Sequence, residues 1–154
     1  MNQNVVFFLK FKKDLQFYYS SLSVLDALNA MKKHGFTAVP VIDQSGCYMG
    51  SVTEGDFLWF ILQNGNDPAL LEKTQVKQLI REGFMPAVNI DVTLNELLET
   101  SFHQNYVPVV DDRNKFIGIV TRQSLLRHFG QSSTKLVTTS AQPIEAMQRQ
   151  MMIG

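Results

Sequence analysis

Cysteine is nearly absent: Cys47 is the only one among 154 residues. A single thiol excludes an intramolecular disulfide and a cysteine-rich zinc site, and a reducing cytosol is the compartment that fits. Charge of one sign is missing too, since 14 Lys plus Arg balance 14 Asp plus Glu. With no net field to draw nucleic acid or an acidic membrane surface, neither DNA, RNA nor membrane is an expected partner. The N-terminal run NVVFFL is too short to span a bilayer, and it lacks a basic flank and a small-residue cleavage site. It reads as the first structural segment of a cytoplasmic protein.

Catalytic vocabulary is equally sparse. No nucleophile elbow, phosphate loop or dinucleotide-binding glycine fingerprint occurs, and no acid–base or nucleophile constellation is visible. His34, His103 and His128 stand alone, without the spacing of a metal site, and read as surface or helix-end residues. Cys47 falls in an expected strand with no basic neighbour in sequence, which favours inert burial over reactivity.

What the chain does contain is a globular composition, 45% hydrophobic and 18% charged. At this length it can bury about two-thirds of its extended surface. Residues 5–9 are apolar, 10–13 basic, and 15–19 an aromatic-rich strand. Ser21 or Ser23 caps a helix whose Val24, Leu25, Leu28 and Met31 make one apolar face, and Gly35 stops it. Residues 37–42 and 47–52 form a hairpin about the turn at 43–46. A helix follows from Gly55 or Asp56 to about Gln63. Asp67 and Pro68 open another, which runs toward Ile80 and closes near Gly83. The order then returns: a strand over 87–90, a helix capped by Thr93, a hairpin of 106–110 with 116–120, and a closing helix from Ser124. The tail from 131 is polar and then Met-rich. Residues 140–151 form either a short amphipathic helix for adaptable contacts or a disordered end.

The return is a true repeat. VPVID at 39–43 becomes VPVVD at 107–111, and Pro40, Asp43, Gly50, Val52 and Thr53 map onto Pro108, Asp111, Gly118, Val120 and Thr121 at an offset of 68 residues. Each unit of strand, helix, hairpin and helix has too little apolar surface to bury alone, so two units stacked through their sheets complete one core. The expected fold class is α+β. Residues 1–68 make the first repeat with its leading segment, 69–130 the second repeat with a linker helix, and 131–154 a C-terminal extension.

The first hairpin ends in GSVTEGDF, residues 50–57. A hydroxyl (Thr53) and a carboxylate (Asp56) three residues apart at a helix start either cap the helix or hold a ligand's hydroxyls near free backbone N–H groups. The second copy, GIVTRQSL, keeps Gly118 and Thr121 but puts Ser124 at the aspartate position. That contrast makes Asp56 the candidate ligand determinant and the glycine and threonine the structural part.

Repeat, hairpins and motif together, over roughly residues 9–129, resemble a tandem pair of CBS domains (named after cystathionine beta-synthase), the arrangement called a Bateman module. Small stand-alone bacterial CBS pairs are the nearest likeness. The family signature, glycine–apolar–apolar–threonine or serine–two residues–aspartate, is met at 50–56, except that Ser51 stands where an apolar residue is usual. The resemblance implies two stacked βαββα repeats related by a pseudo-two-fold axis. It also implies a non-enzymatic regulator that needs no cofactor, binds an adenine nucleotide (AMP, ADP, ATP or cyclic di-AMP) between the repeats, and forms a homodimer.

The same resemblance places Asp56 on a ribose diol, Thr53 on a phosphate or ribose oxygen, and Thr37, Ala38 and Val39 against the adenine. Gln16 and Phe17 of the first strand, with Ala87 and Val88 of the opposite repeat, would line that cleft, and Arg122 would contact phosphate. Thr121 and Ser124 hold the matching places in the second cleft, where Tyr106 either stacks on a base or fills the space. One carboxylate accepts both hydroxyls of a diol, and such charge-assisted bonds are about twice as strong as neutral ones. Ser124 is uncharged and Glu54 occupies the repeat position of Arg122, so one competent and one degenerate cleft are expected. The alternatives are a cyclic di-AMP receptor acting on an unidentified protein partner, and a ligand-free dimerisation scaffold. Phe57, Trp59, Phe60 and Ile61 crowd one helix and read as core, although helices at this position also form the family's dimer contact.

Overall fold

The computed structural model describes residues 4–137, with side chains as far as residue 130. It divides into one unit that reaches Arg122 and another that begins at Gln123. The expectation for the Met-rich stretch at 140–151 lies outside the described residues. Among the described residues no helix is long and apolar enough to cross a membrane.

Local chemistry accounts for most of the elements. The Ser23 hydroxyl accepts the Asp26 N–H at 3.0 Å and starts α1 (Val24–His34), which Gly35 ends in the left-handed region at φ 70°. β3 (Ala38–Ile42) turns back antiparallel into β4 (Tyr48–Thr53), and β2 (Tyr18–Tyr19) lies parallel to β3. α2 (Glu54–Asn64) closes the first repeat, and α3 (Pro68–Lys73) follows with Asp67 as its cap. The second repeat runs β5 (Val88–Asn89), α4 (Leu94–His103), β6 (Tyr106–Val110), β7 (Phe116–Thr121) and α5 (Arg122–Val137). Thr93 and Glu96 cap α4 reciprocally, each side chain bonding the other's backbone N–H. The two βαββα units are thus in place. One sheet has the order β2-β3-β4; the other has four strands, β1-β7-β6-β5, where β1 is Lys10–Phe11.

β3 is apolar without alternation because both of its faces are covered. Val39 and Val41 turn to Val24, Met31, Phe57 and Leu71, whereas Ala38 and Ile42 turn to Tyr106, Phe116 and Ile119 of the other sheet. The hairpin tips carry the pseudo-two-fold axis. The Tyr48 N–H donates to the Asn114 carbonyl at 3.1 Å and the Phe116 N–H to the Gly46 carbonyl at 2.9 Å, and the 68-residue offset exchanges one bond for the other. The Tyr48 and Phe116 rings, also repeat mates, stack at 6.0 Å.

Four expectations need correction. The strands expected at 15–19 and 87–90 are two residues long each. Cys47 makes only an isolated bridge to Lys115 ahead of β4. The helix expected to reach Ile80 stops at Lys73, because Thr74 and Gln75 extend to exchange backbone bonds with the start of the first repeat (Val24 N–H to Thr74 O, 2.8 Å; Val76 N–H to Leu22 O, 2.8 Å). A short 3-10 turn, Val76–Leu79, follows. Finally, the basic stretch hides a strand: β1 (Lys10–Phe11) pairs antiparallel with β7, so the leading segment joins the second repeat's sheet. Leu71, Val76 and Leu79 conversely belong to the first repeat's core, and a cut at residue 68 runs through that core.

Gly118 makes the β1 crossing possible. Its φ is 159°, and a Cβ there would collide with the Lys10 carbonyl oxygen.

Candidate functional site

β4 ends on Thr53, which caps α2. The Thr53 hydroxyl accepts the Asp56 N–H at 3.3 Å, while Asp56 Oδ2 accepts the Thr53 N–H at 2.8 Å and its hydroxyl at 3.0 Å. The other oxygen, Oδ1, receives Arg81 Nε at 2.8 Å. A carboxylate whose side chain is 3% exposed needs such partners, since burial without them costs several kcal/mol. Arg81 is itself half exposed and lies over the Phe84 ring at 3.7 Å. The capping reading of the motif is met in this structure, and Arg81 holds the oxygen left over.

Two clefts flank the pseudo-two-fold axis. The cleft at Thr53, about 390 Å³, is lined by Thr53, Glu54 and Gly55, by Phe84 and Met85, and by Asn105 and Arg122. The cleft at Thr121, about 500 Å³, is lined by Lys10, Lys13, Gln16, His34, Tyr106 and Thr121 among others. Thr37, Ala38 and Asn105 border both. Thr37 and Asn105 are repeat mates with the same backbone task. The Thr37 carbonyl accepts the Glu54 N–H at 3.0 Å, and the Asn105 carbonyl accepts the Arg122 N–H at 3.0 Å.

The expected site residues divide among these places. Gln16, Val39, Tyr106 and Thr121 border the Thr121 cleft, Thr53 and Arg122 the Thr53 cleft, and Thr37 and Ala38 both. Arg122 also binds the end of α4, donating to the carbonyls of Ser101 at 3.1 Å and Gln104 at 3.2 Å, where a cation meets the negative end of a helix. Five residues lie elsewhere. Phe17 packs in the inter-sheet core near Phe116, with Lys12 over its ring. Asp56 is sealed under Arg81. Ala87 lines a groove beside Tyr48 and Met49, and Val88 a shallow depression beside Asn89 and Asp91. Ser124 belongs to the second unit.

Tyr106 fills space between the sheets. It is 7% exposed, and its hydroxyl donates to Ser51 Oγ at 2.6 Å. Tyr48 donates to the Met85 carbonyl at 2.7 Å and stands 2.9 Å from Ser51, so the Ser51 hydroxyl must donate to Tyr48. Burial pushes the Tyr48 hydroxyl up to about 12 and raises Tyr106 further, so both remain protonated donors. Ser51, the departure from the family signature, is the hydroxyl that joins these two tyrosines.

Sequence reasoning missed Asn105, Arg81, Phe84, Met85 and the lysines at 10 and 13. The first carried a signal, as the repeat mate of Thr37; the rest lie ahead of the hairpins, at positions whose letters do not match at the 68-residue offset.

The CBS domain model matches this chain twice, over residues 11–63 and 76–131. Among curated proteins the chain is similar to L-aspartate semialdehyde sulfurtransferase of Methanocaldococcus jannaschii. The two are 26% identical over 113 residues, which cover 73% of this chain and 21% of that protein. The chain therefore spans about a fifth of that relative's length. Among solved structures it is similar to CbpB in complex with c-di-AMP, at TM-score 0.81 and 19% identity over 89% of this chain and 91% of that one. It is also similar to CBSX2 in complex with AMP, at TM-score 0.66 and 30% identity over 84% and 98%. With that domain matched twice over most of its length, and its two βαββα units facing each other across a pseudo-two-fold axis, the chain belongs to the CBS domain family as a tandem pair.

Proposed function

We propose that the protein is a regulatory module, not a catalyst, and that it binds an adenine nucleotide in the clefts between its repeats. The observation that carries this is the pair of clefts related by the repeat, with Thr37, Ala38 and Asn105 shared between them. The structures of CbpB with c-di-AMP and of CBSX2 with AMP support the ligand class. Charge distinguishes the clefts. Lys10 and Lys13 outweigh Asp14 in the Thr121 cleft and suit it to phosphates, while Glu54 offsets Arg122 in the Thr53 cleft. Calorimetric titration with AMP, ATP and cyclic di-AMP tests the reading. Binding is expected below millimolar ligand and weakens about tenfold in Lys10→Ala/Lys13→Ala, for two phosphate contacts at about 1 kcal/mol each or somewhat less. Absence of binding at millimolar ligand by all three nucleotides overturns it.

One observation favours the scaffold reading: Tyr106 occupies inter-sheet space and the Asp56 carboxylate is already bonded on both oxygens. Either way the module is proposed to act as a homodimer through α2, which leaves Leu58, Trp59 and Leu62 more than half exposed. Leu62→Asp is expected to convert a dimer to a monomer by light scattering; an unchanged mass rejects α2 as the contact.

A further inference from the structure

Resting on the nucleotide reading, we propose that Arg81 is a built-in competitor for the Asp56 carboxylate: an autoinhibitory latch that a ligand carrying a vicinal diol must displace. The carboxylate has two jobs in this sequence. One oxygen closes the α2 cap through Thr53, a local bond that forms whenever the helix forms. The other is the acceptor remaining, and it is held at 2.8 Å by Arg81 Nε. Arg81 reaches it from the stretch between the 3-10 turn at Val76–Leu79 and β5, on no strand or helix of either βαββα unit.

The two ends of the pair are unequal. Asp56 is buried and cannot move without undoing the cap, whereas Arg81 is 54% exposed and can be solvated by water once another donor meets the carboxylate. Its remaining anchor is the Phe84 ring, which borders the Thr53 cleft directly. Behind it the linker is conformationally committed, with Gly83 at φ 71° and Met85 at φ 51°. Gly55, next to Asp56 in the chain, and Phe84, under Arg81, both line the Thr53 cleft, so a diol bound there would replace the guanidinium by giving Oδ1 a neutral donor. The exchange therefore releases the Arg81 side chain without leaving the carboxylate unpaired. Arg81 thus sets the affinity threshold of this cleft and supplies a mobile element that reports its occupancy.

Affinities of AMP and 2′-deoxy-AMP for the wild type, Arg81→Ala, and Arg81→Ala/Asp56→Asn test the latch, with thermal melts verifying folding and Arg81→Lys as a milder variant. The latch predicts that Arg81→Ala binds AMP about fivefold more tightly, the scale of one half-exposed ion pair. It also predicts that 2′-deoxy-AMP gains nothing and that the double variant loses the gain. Equal or weaker AMP binding by a folded Arg81→Ala, or the same gain for the deoxy ligand, overturns the latch while the nucleotide reading stands. No binding by any form overturns both.

Discussion

Asp43 and Asp111, the last residues of VPVID and VPVVD, show at the residue scale what the repeated letters are for. Asp43 Oδ1 accepts the N–H groups of Ser45 and Cys47, both at 2.9 Å, and Asp111 Oδ1 accepts those of Arg113 and Lys115 at the same distance. Each carboxylate closes the hairpin turn that carries the pseudo-two-fold contacts. The Ser45 hydroxyl first, then the Cys47 N–H, lower the Asp43 pKa; the Lys115 N–H leads for Asp111. A depressed carboxylate stabilises the fold above its unfolded pKa, and that contribution disappears as pH falls through the lower folded value. Acid unfolding should therefore steepen below about pH 3.8, and the Asp43→Asn/Asp111→Asn variant should flatten that limb while leaving its pH dependence near neutrality unchanged. Denaturant titrations across pH decide it; an unaltered acid limb in the variant refutes the assignment.

At the scale of elements, legibility followed periodicity. α1, α4 and both hairpins could be read because each has an apolar period, a capping side chain and a repeat mate that agree. β1 could not, since two exposed residues bonded only through their backbone leave no pattern in side chains. α3 was read too long because leucine spacing continues past Lys73, while the extended Thr74 and Gln75 are dictated by partners some fifty residues back. The cleft residues on the hairpins were legible for the same reason as the hairpins, whereas Phe17 and Ala87 lie just outside two-residue strands, too short to show in side-chain pattern which way they face. The sequence did mark where β1 docks, as the second glycine of the repeated motif. Gly118→Ala is expected to cost about 2–3 kcal/mol, through its positive φ and the clash with the Lys10 carbonyl. Gly50→Ala should cost less, because its Cβ meets the Ile80 side chain, which can rotate, and not backbone. Denaturation midpoints at constant slope test the order; equal losses would show that φ alone sets the cost.

Across the two repeats, one line of hydroxyls runs from cleft to cleft. Tyr106 borders the Thr121 cleft and donates to Ser51, Ser51 donates to Tyr48, and Tyr48 donates to the carbonyl of Met85, which borders the Thr53 cleft. Every donor has an acceptor and the line ends on backbone, so neither tyrosine can shift without breaking a buried bond. A ligand that moves Met85 in one cleft therefore changes what Tyr106 can do in the other, which is the physical requirement for coupling two sites. Nucleotide binding at the two clefts is expected to be coupled by about 1–2 kcal/mol, visible as unequal stepwise affinities in calorimetry. Ser51→Ala should leave both clefts in place, lower stability by about 1–2 kcal/mol because the Tyr106 hydroxyl loses its acceptor, and bring the two binding steps to independence. If the folded variant retains the wild-type coupling, the route lies elsewhere, and Thr37, Ala38 and Asn105, which border both clefts, are the residues to test next.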